Sequence, residues 1–304
     1  LAYAHAEDDF ATIQDVLLAV RGKLASVEGL AMAPNDYYVN LIRIWDGLNE
    51  KYATLDPKFR AICQAYCDGL NLYASRHPEK LKRNIWPAKP QDLVAGSIHK
   101  LPMMFGIQGH IARLIEEKEN KSSANALNPK ALPIGSNFIA VGPSRSADQA
   151  TRVCINSHQP WTGPVTWYEA HLISEEGQNL YGGLFPGSPV IFLGHNENIA
   201  WGHTVNQPDL VDVFKLELNP ANPNQYKVDG EWIELERSLA PLEIRLWGNF
   251  RWTVNREVLY SIYGPAMRVD DQVFAIRYAG IGEFRQIEQW YRMGRAQSLE
   301  QFKD

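Results

Sequence analysis

Long apolar runs, paired cysteines and clustered basic residues are all missing from this sequence. No apolar run approaches the roughly 20 residues that a helix needs to cross a bilayer, which predicts that the chain has no membrane span. A formal net charge of −5, with lysine and arginine scattered along the chain, argues against nucleic acid as a partner. No Cys/His spacing typical of a zinc site occurs either.

The 3 cysteines cannot form a disulfide framework, because one is always left over. Cys63 and Cys67 lie in a helical pattern at a spacing that makes a disulfide between them geometrically awkward. Cys154 lies in the strand-like stretch TRVCIN, where we expect a small buried apolar side chain. Cysteine usage therefore does not indicate the compartment.

The composition that is present predicts a globular chain with a sizeable core. The sequence has 304 residues, 45% of them hydrophobic and 21% charged, which suits one large domain or two ordinary ones. It opens with LAYAHAEDDF, without an initiating methionine, and closes with SLEQFKD, which is typical of a helix start. We therefore expect a piece of a longer protein, with any targeting segment outside it.

Residues 1–118 are predicted to be helical. An amphipathic stripe with three- and four-residue spacing runs through the first segment and is formed by Phe10, Ile13, Leu17, Val20 and Leu24. Asp56 and Pro57 are typical of a helix start. A third helical region begins near residue 90 and is expected to bend near Pro102.

The character of the sequence changes after residue 118. Residues 119–135 are polar and small, contain two prolines and have no usable period, which predicts an exposed spacer. Residues 136–304 contain short runs rich in Val, Ile, Phe, Tyr and Trp, such as SNFIAVG, TRVCIN, NLYGGLF, VDVFKLEL and FAIRYA, separated by turn residues. Only GEFRQIEQWYRM returns to a helical pattern. Helices followed by strands predict the α+β class.

The junction LPIGSNFIAVG, residues 132–142, has two interpretations. One is an ordinary loop-to-strand junction. The other is that the chain is cut between Gly135 and Ser136, so that the serine becomes an N-terminal nucleophile. Serine is a weak nucleophile that needs a base, and its own α-amino group would serve. Such a site also needs a strand to hold the new terminus and donors for an oxyanion.

Three ordered motifs resemble the penicillin acylase family of N-terminal nucleophile hydrolases, and within it the acyl-homoserine lactone acylases. They are GSNFIAVG, NSHQPWTGPVTWYEAHL and GLFPGSPVIFLGHNENIAWGHTVNQPDLVDVF. The resemblance implies a four-layered αββα fold, with a helical small subunit (1–118) wrapped on a strand-rich large subunit that begins at Ser136. It also implies that both subunits come from one self-cleaved precursor, and a periplasmic or secreted location.

The site residues implied by the resemblance can be assigned position by position. Gly135 and Ser136 match the cleavage site, and Ser136 matches the nucleophile. His158 matches the residue beside the nucleophile's amino group, although a lone histidine on a strand is ordinarily a satisfied polar side chain. Val205 matches the residue whose backbone N–H forms half of the oxyanion hole. The family's second oxyanion donor, an asparagine, and a nearby arginine are expected beyond Asp304.

Substrate and metal contacts are less determined by the sequence. We expect Trp161, Met104 and Phe105 to enclose an acyl chain, with a core role as the alternative. Asp209 and Asp212 resemble positions that bind a structural calcium ion. Two carboxylates at this spacing are equally explained by a solvated loop, since calcium takes six to eight oxygen ligands. The expected chemistry itself requires no cofactor.

The function predicted from these residues is hydrolysis of the linear amide of a small N-acyl substrate through a serine acyl-enzyme. N-acyl homoserine lactones are the first candidates, and a β-lactam acylase acting on aromatic or glutaryl side chains is the enzymatic alternative. A non-catalytic member that binds acyl or peptide ligands is the alternative from another class. A sugar-binding β-module, suggested by 9 Trp and 13 Tyr, leaves the helical half unexplained.

Overall fold

The computed structural model describes residues 1–83, 85–119, 135–206 and 208–304. The helices are α1 (Ala2–Val20), α2 (Ala25–Glu28), α3 (Ala33–Leu41), α4 (Leu48–Ala53), α5 (Pro57–Arg76), α6 (Pro90–Met104), α7 (Ile107–Glu119), α8 (Gln286–Met293) and α9 (Leu299–Lys303). Short 3-10 turns occupy Leu30–Met32, Pro78–Lys80 and Pro143–Arg145. Residues 120–134 of the predicted spacer lie outside the described residues.

Most of the chain after Gly135 forms antiparallel strands. They are β1 (Ser136–Val141), β2 (Arg152–Ser157), β3 (Tyr168–Ile173), β4 (Asn179–Leu184), β5 (Leu193–His195), β6 (Ala200–Trp201), β7 (Val211–Leu216), β8 (Leu218–Asn219), β9 (Asn222–Val228), β10 (Glu231–Glu234), β11 (Glu236–Trp247), β12 (Phe250–Ser261), β13 (Gly264–Val269) and β14 (Gln272–Tyr278). The predicted α+β class is confirmed. The four-layered order of helices and sheets stays a prediction.

The strands form separate sheets of different size. The largest has the order β11-β12-β13-β14-β7, and a four-stranded sheet has the order β3-β4-β5-β6. β8, β9 and β10 form a small sheet, and β1 pairs with β2 alone. β12 and β13 were not singled out as strands in the sequence, although Arg251, Thr253 and Asn255 of β12 alternate with apolar side chains as in a half-exposed strand. Their pairing with β11 and β14 defines them as strands.

Local signals in the helical half agree with the structure. Phe10, Ile13, Leu17 and Val20 are buried on α1. The Asp56 side chain accepts hydrogen bonds from two backbone N–H groups in the first turn of α5, as an N-terminal cap should. No described helix combines the length and the apolar character that crossing a bilayer would need.

The third helical region is interrupted close to the predicted bend, since α6 runs through Pro102 to Met104 and the break falls at Gly106, whose φ of 84° an L side chain rarely adopts. One local prediction, the burial of Cys154, is wrong. Cys63 and Cys67 are buried free thiols, but Cys154 is exposed. Its strand belongs to the two-stranded sheet, where its register partner Ile139 is itself 58% exposed. Strand alternation alone does not bury a side chain when no second layer covers that face.

The helical and strand-rich parts share their hydrophobic cores. The largest cluster combines side chains of α1, α5 and α6 with strand residues such as Val211, Ile276 and Tyr278. A second cluster packs Ala25 and Leu41 of the helical half against β11 and β12. Because this apolar surface is removed from water only when both parts are together, each part stabilises the other.

Candidate functional site

Ser136 is the first residue of β1 and lies at the open end of the β1–β2 hairpin. It pairs in register with Ser157, the last residue of β2. The backbone N–H of His158 donates to the Gly135 carbonyl oxygen (3.2 Å), which extends the ladder by one residue. The Ser136 Oγ–H donates to the same carbonyl oxygen (2.5 Å). The hydroxyl therefore lies against the peptide group that joins Gly135 to Ser136.

The His158 ring packs against the residue before Ser136. A Cβ on Gly135 would lie only 2.9 Å from His158 Nδ1, so the ring occupies the space that a side chain would need. The other ring nitrogen, Nε2, lies 3.2 Å from Asn137 Nδ2. Successive side chains on a strand point to opposite faces, so Gly135 and Asn137 share one face and Ser136 projects from the other. The ring thus lies beside the Gly135–Ser136 backbone and on the face opposite the Ser136 side chain.

Close packing holds the segment of residues 202–206 against this hairpin. A Cβ on Gly202 would lie 2.7 Å from an Ile155 methyl group and 2.8 Å from the Phe138 ring, so only glycine permits this approach. The buried Ser157 Oγ–H donates to the His203 carbonyl oxygen (2.7 Å). Val205 follows two residues later and is 47% exposed. Within the described part of the chain, no hydrogen-bond acceptor is paired with the Val205 N–H.

Aromatic side chains form hydrogen bonds to Ser157, at the end of β2, and to His203, in the segment of residues 202–206. Trp167 Nε1–H donates to the Ser157 carbonyl oxygen (3.0 Å), and its ring stacks on Phe185 with centroids 4.4 Å apart. Trp290 Nε1–H donates to His203 Nε2 (2.9 Å). Nε2 also lies 2.9 Å from the Phe192 carbonyl oxygen, so it accepts from the indole in one tautomer and donates to that carbonyl in the other. Desolvation of the ring lowers the pKa of His203. The role of Trp290 was missed, because it lies far from His203 in sequence and no motif connects them.

Lys100 of α6 is a second residue that the sequence did not single out. Its ammonium group lies 5.5 Å from the centroid of the Phe185 ring and 3.4 Å from the Pro186 carbonyl oxygen. Burial lowers the pKa of Lys100 from 10.5 to about 8. No carboxylate among the described residues forms a salt bridge with it. The hydrophobic contact between α6 and the turn after β4 therefore contains an unpaired cation.

The residues predicted to enclose an acyl chain differ in exposure, and their role stays a prediction. Trp161 is 97% exposed, and Met104, at the end of α6, is 49% exposed. Phe105 packs against the main core instead. A cavity of about 580 Å³ lies between α1, α5, β3, β4 and α8, with Ile62, Tyr66, Leu172, Val190 and Tyr291 among its lining. Ser136, His158 and Val205 are not part of that lining.

The predicted calcium residues are exposed and provide few ligands. Asp212 lies in β7 in register with Arg277 of β14, whose positive charge competes for the carboxylate. Asp209 lies in the loop before β7. Among the described residues, no three His, Cys, Asp or Glu side chains gather as a metal site would require. The two carboxylates alone fall short of the six to eight oxygen ligands that calcium takes, so a calcium ion at this place stays a prediction, and the chemistry proposed below uses no metal.

Comparisons with known proteins agree with the sequence motifs. The penicillin amidase family model matches residues 1–304. The chain is 25% identical, over its whole length, to the acyl-homoserine lactone acylase PvdQ of Pseudomonas fluorescens. It is 30% identical to the aculeacin-A acylase of Actinoplanes utahensis over 62% of this chain and 24% of that one.

A solved structure of a thermostable penicillin G acylase from Alcaligenes faecalis is also similar. It has a TM-score of 0.47 and 25% identity over 54% of this chain and 30% of that chain. This chain spans 43% of the length of the Pseudomonas fluorescens PvdQ that it matches. Since the family model covers every residue of the chain, the protein belongs to the penicillin amidase family.

Proposed function

We propose that this protein is an N-acyl amide hydrolase with Ser136 as its nucleophile. The observation that carries the proposal is the arrangement at the open end of the β1–β2 hairpin. There, hydrogen bonds to Ser157 or Gly135 hold the segments that carry three groups: the Ser136 hydroxyl, the His158 ring and the Val205 N–H, which has no partner among the described residues. A nucleophile, an orienting group and an oxyanion donor are the parts that acyl transfer needs.

The serine becomes a competent nucleophile once the bond between Gly135 and Ser136 is cut. Cleavage gives a helical small subunit and a large subunit that begins at Ser136. The Ser136 Oγ–H contacts the Gly135 carbonyl oxygen, which places the hydroxyl beside the bond to be cut. Attack of Oγ on the carbonyl carbon breaks the C–N bond and leaves an ester and a free α-amino group, and water then hydrolyses the ester. After cleavage, the new α-amino group lies next to Oγ and serves as the base.

In the proposed reaction, Ser136 Oγ attacks the carbonyl carbon of the substrate amide, and the hydroxyl proton passes to the α-amino group. The Val205 N–H donates to the negatively charged oxygen of the tetrahedral intermediate. The C–N bond breaks as the α-amino group returns the proton to the leaving amine. Water then adds to the acyl-enzyme with the same base, and the carboxylic acid is released. His158 holds the α-amino group in place throughout.

The proposed substrates are N-acyl homoserine lactones with an unbranched fatty-acyl chain. The support is the similarity, along the whole of this chain, to proteins named acyl-homoserine lactone acylases. Each methylene of the chain that is buried would add roughly 0.8 kcal/mol of binding, so rates should rise with chain length until the pocket is full. A location outside the cytoplasm, in the periplasm or the medium, is proposed with the function.

The first test is the processing of the full-length protein, followed by intact mass and N-terminal sequencing. We expect two chains, the second beginning at Ser136, and a single uncut chain for Ser136→Ala. Ser144→Ala is the matched control, because this exposed serine lies in the connection between β1 and β2. A Ser136→Ala protein that is still cut at this bond would show that Ser136 does not drive cleavage.

The second test compares substrates on the processed full-length enzyme. Acyl lactones of several chain lengths, penicillin G and a glutaryl amide are compared by kcat/KM. We expect a fatty-acyl lactone to give the highest value. Penicillin G turning over well ahead of every lactone would make this a β-lactam acylase, and no turnover of any amide by a correctly cut protein would favour a binding protein.

A further inference from the structure

Asn137 is the residue after the candidate nucleophile, and it is the side chain that contacts the His158 ring at Nε2. The Nδ2–H of Asn137 donates to Nε2 across 3.2 Å. The ring is held at its other end by Gly135, whose missing side chain leaves room for Nδ1. An amide on one side and a bare Cα on the other therefore define the position of the ring.

The contact also determines which ring nitrogen lies toward the candidate cleavage site. An asparagine amide offers both a donor and an acceptor, so it can pair with Nε2 in either tautomer of the ring. Nδ1 is the nitrogen that lies next to Gly135. Asn137 thus turns Nδ1 toward the residue before Ser136, where it can accept a hydrogen bond from the new α-amino group.

We propose that Asn137 is the positioning residue of His158, fixing the orientation of the ring so that Nδ1 lies toward the new amino terminus. This inference rests on the proposed function, because it acts through the role of His158 there. Strand alternation supports it, since Asn137 projects from the face opposite Ser136 and has no direct route to Oγ. Asn137 influences the reaction through the histidine alone.

The β1–β2 pairing supplies a matched control. Asn156 lies directly opposite Asn137 in the register, so both side chains share one face of the hairpin and both are exposed. In the described part of the chain, the Asn156 side chain makes no hydrogen bond to His158. The same substitutions at Asn156 therefore change this face of the hairpin in the same way as those at Asn137, without touching the His158 ring.

The experiment measures kcat and KM of the processed full-length enzyme on one fatty-acyl homoserine lactone. The variants are Asn137→Ala, Asn137→Leu, Asn156→Ala and Asn156→Leu. Asn137→Leu keeps the shape of the side chain but offers Nε2 neither a donor nor an acceptor. We expect both Asn137 variants to lower kcat about tenfold with little change in KM, as the loss of one orienting hydrogen bond would. Both Asn156 variants should stay near the wild-type rate.

A second set repeats Asn137→Ala in a His158→Ala background. If Asn137 acts through the ring, removing it there should have no further effect. An Asn137→Leu enzyme with wild-type kcat, or an Asn137→Ala loss that is equally large without His158, would overturn the inference. When a variant accumulates uncut, the same comparison is made on the rate at which the purified precursor is processed.

The two proposals fail in different ways. A His158→Ala enzyme that is processed and turns over the lactone at the wild-type rate would remove His158 from the proposed mechanism. An impaired His158→Ala enzyme beside normal Asn137 variants would leave that mechanism standing and refute only the positioning role of Asn137.

Discussion

Replacing Lys100 with methionine should stabilise the folded protein at neutral pH. Lys100 has no acidic partner among the described residues, and its pKa falls from 10.5 to about 8 because burial disfavours the charged form. That difference corresponds to roughly 3 kcal/mol of unfavourable free energy for keeping the ammonium group charged. The contact with the Phe185 ring returns roughly 0.5 to 1 kcal/mol. Lys100→Met should therefore raise the free energy of unfolding by about 2 kcal/mol at pH 7.

The pH dependence provides the sharper test of this reasoning. A lowered pKa in the folded state means that unfolding takes up a proton between pH 8 and 10.5, so the wild-type protein should gain stability as the pH rises through this window. The advantage of Lys100→Met should accordingly be full below pH 8 and shrink above it. Urea unfolding followed by tryptophan fluorescence, in an uncut Ser136→Ala background, measures it at pH 7 and 9.5.

The control is Lys58→Met on α5, where the side chain is exposed and little change is expected. A Lys100→Met protein that is less stable than its parent at both pH values would refute the argument. It would mean that the ammonium group is well solvated or paired where it lies, and that burial does not penalise its charge.

Three further outcomes follow from close contacts and buried rings. Gly202→Ala should lower kcat at least tenfold in a folded enzyme, because a Cβ 2.7 Å from Ile155 pushes the oxyanion segment off the hairpin; circular dichroism checks the fold. Gly135→Ala should slow processing by displacing the His158 ring, and this effect should vanish in a His158→Ala background. His5 is buried, its Nε2 has no hydrogen-bond partner among the described residues, and burial lowers its pKa to about 4. Because the unfolded chain then takes up a proton that the folded protein does not, the free energy of unfolding should fall as the pH drops from 6.5 to 4. His5→Phe should flatten that fall in urea unfolding at pH 7 and 4.5.

Several features of the molecule could be predicted from the sequence because their causes are local. The apolar stripe of α1 and the Asp56 cap of α5 depend on residues within one or two turns, and both appear in the structure. The start of β1 at Ser136 follows from a turn residue before a run of strand formers. The family likewise follows from ordered motifs, and the family model covers residues 1–304.

Other features depended on contacts between residues far apart in the chain. The sequence predicted a buried Cys154, but this side chain is exposed, since strand alternation does not reveal which surfaces another layer covers. The hydrogen bond from Trp290 to His203 joins residues 87 positions apart.

The arrangement around Ser136 likewise combines residues that the sequence motifs identify with contacts that only the fold decides. Its hydroxyl, the histidine and the valine N–H were named from the motifs. The opposite faces of Ser136 and His158, and the contact of Asn137 with the ring, follow from the β1–β2 register. A register is a property of two paired strands, so it is decided only when the chain folds and selects which residues face each other.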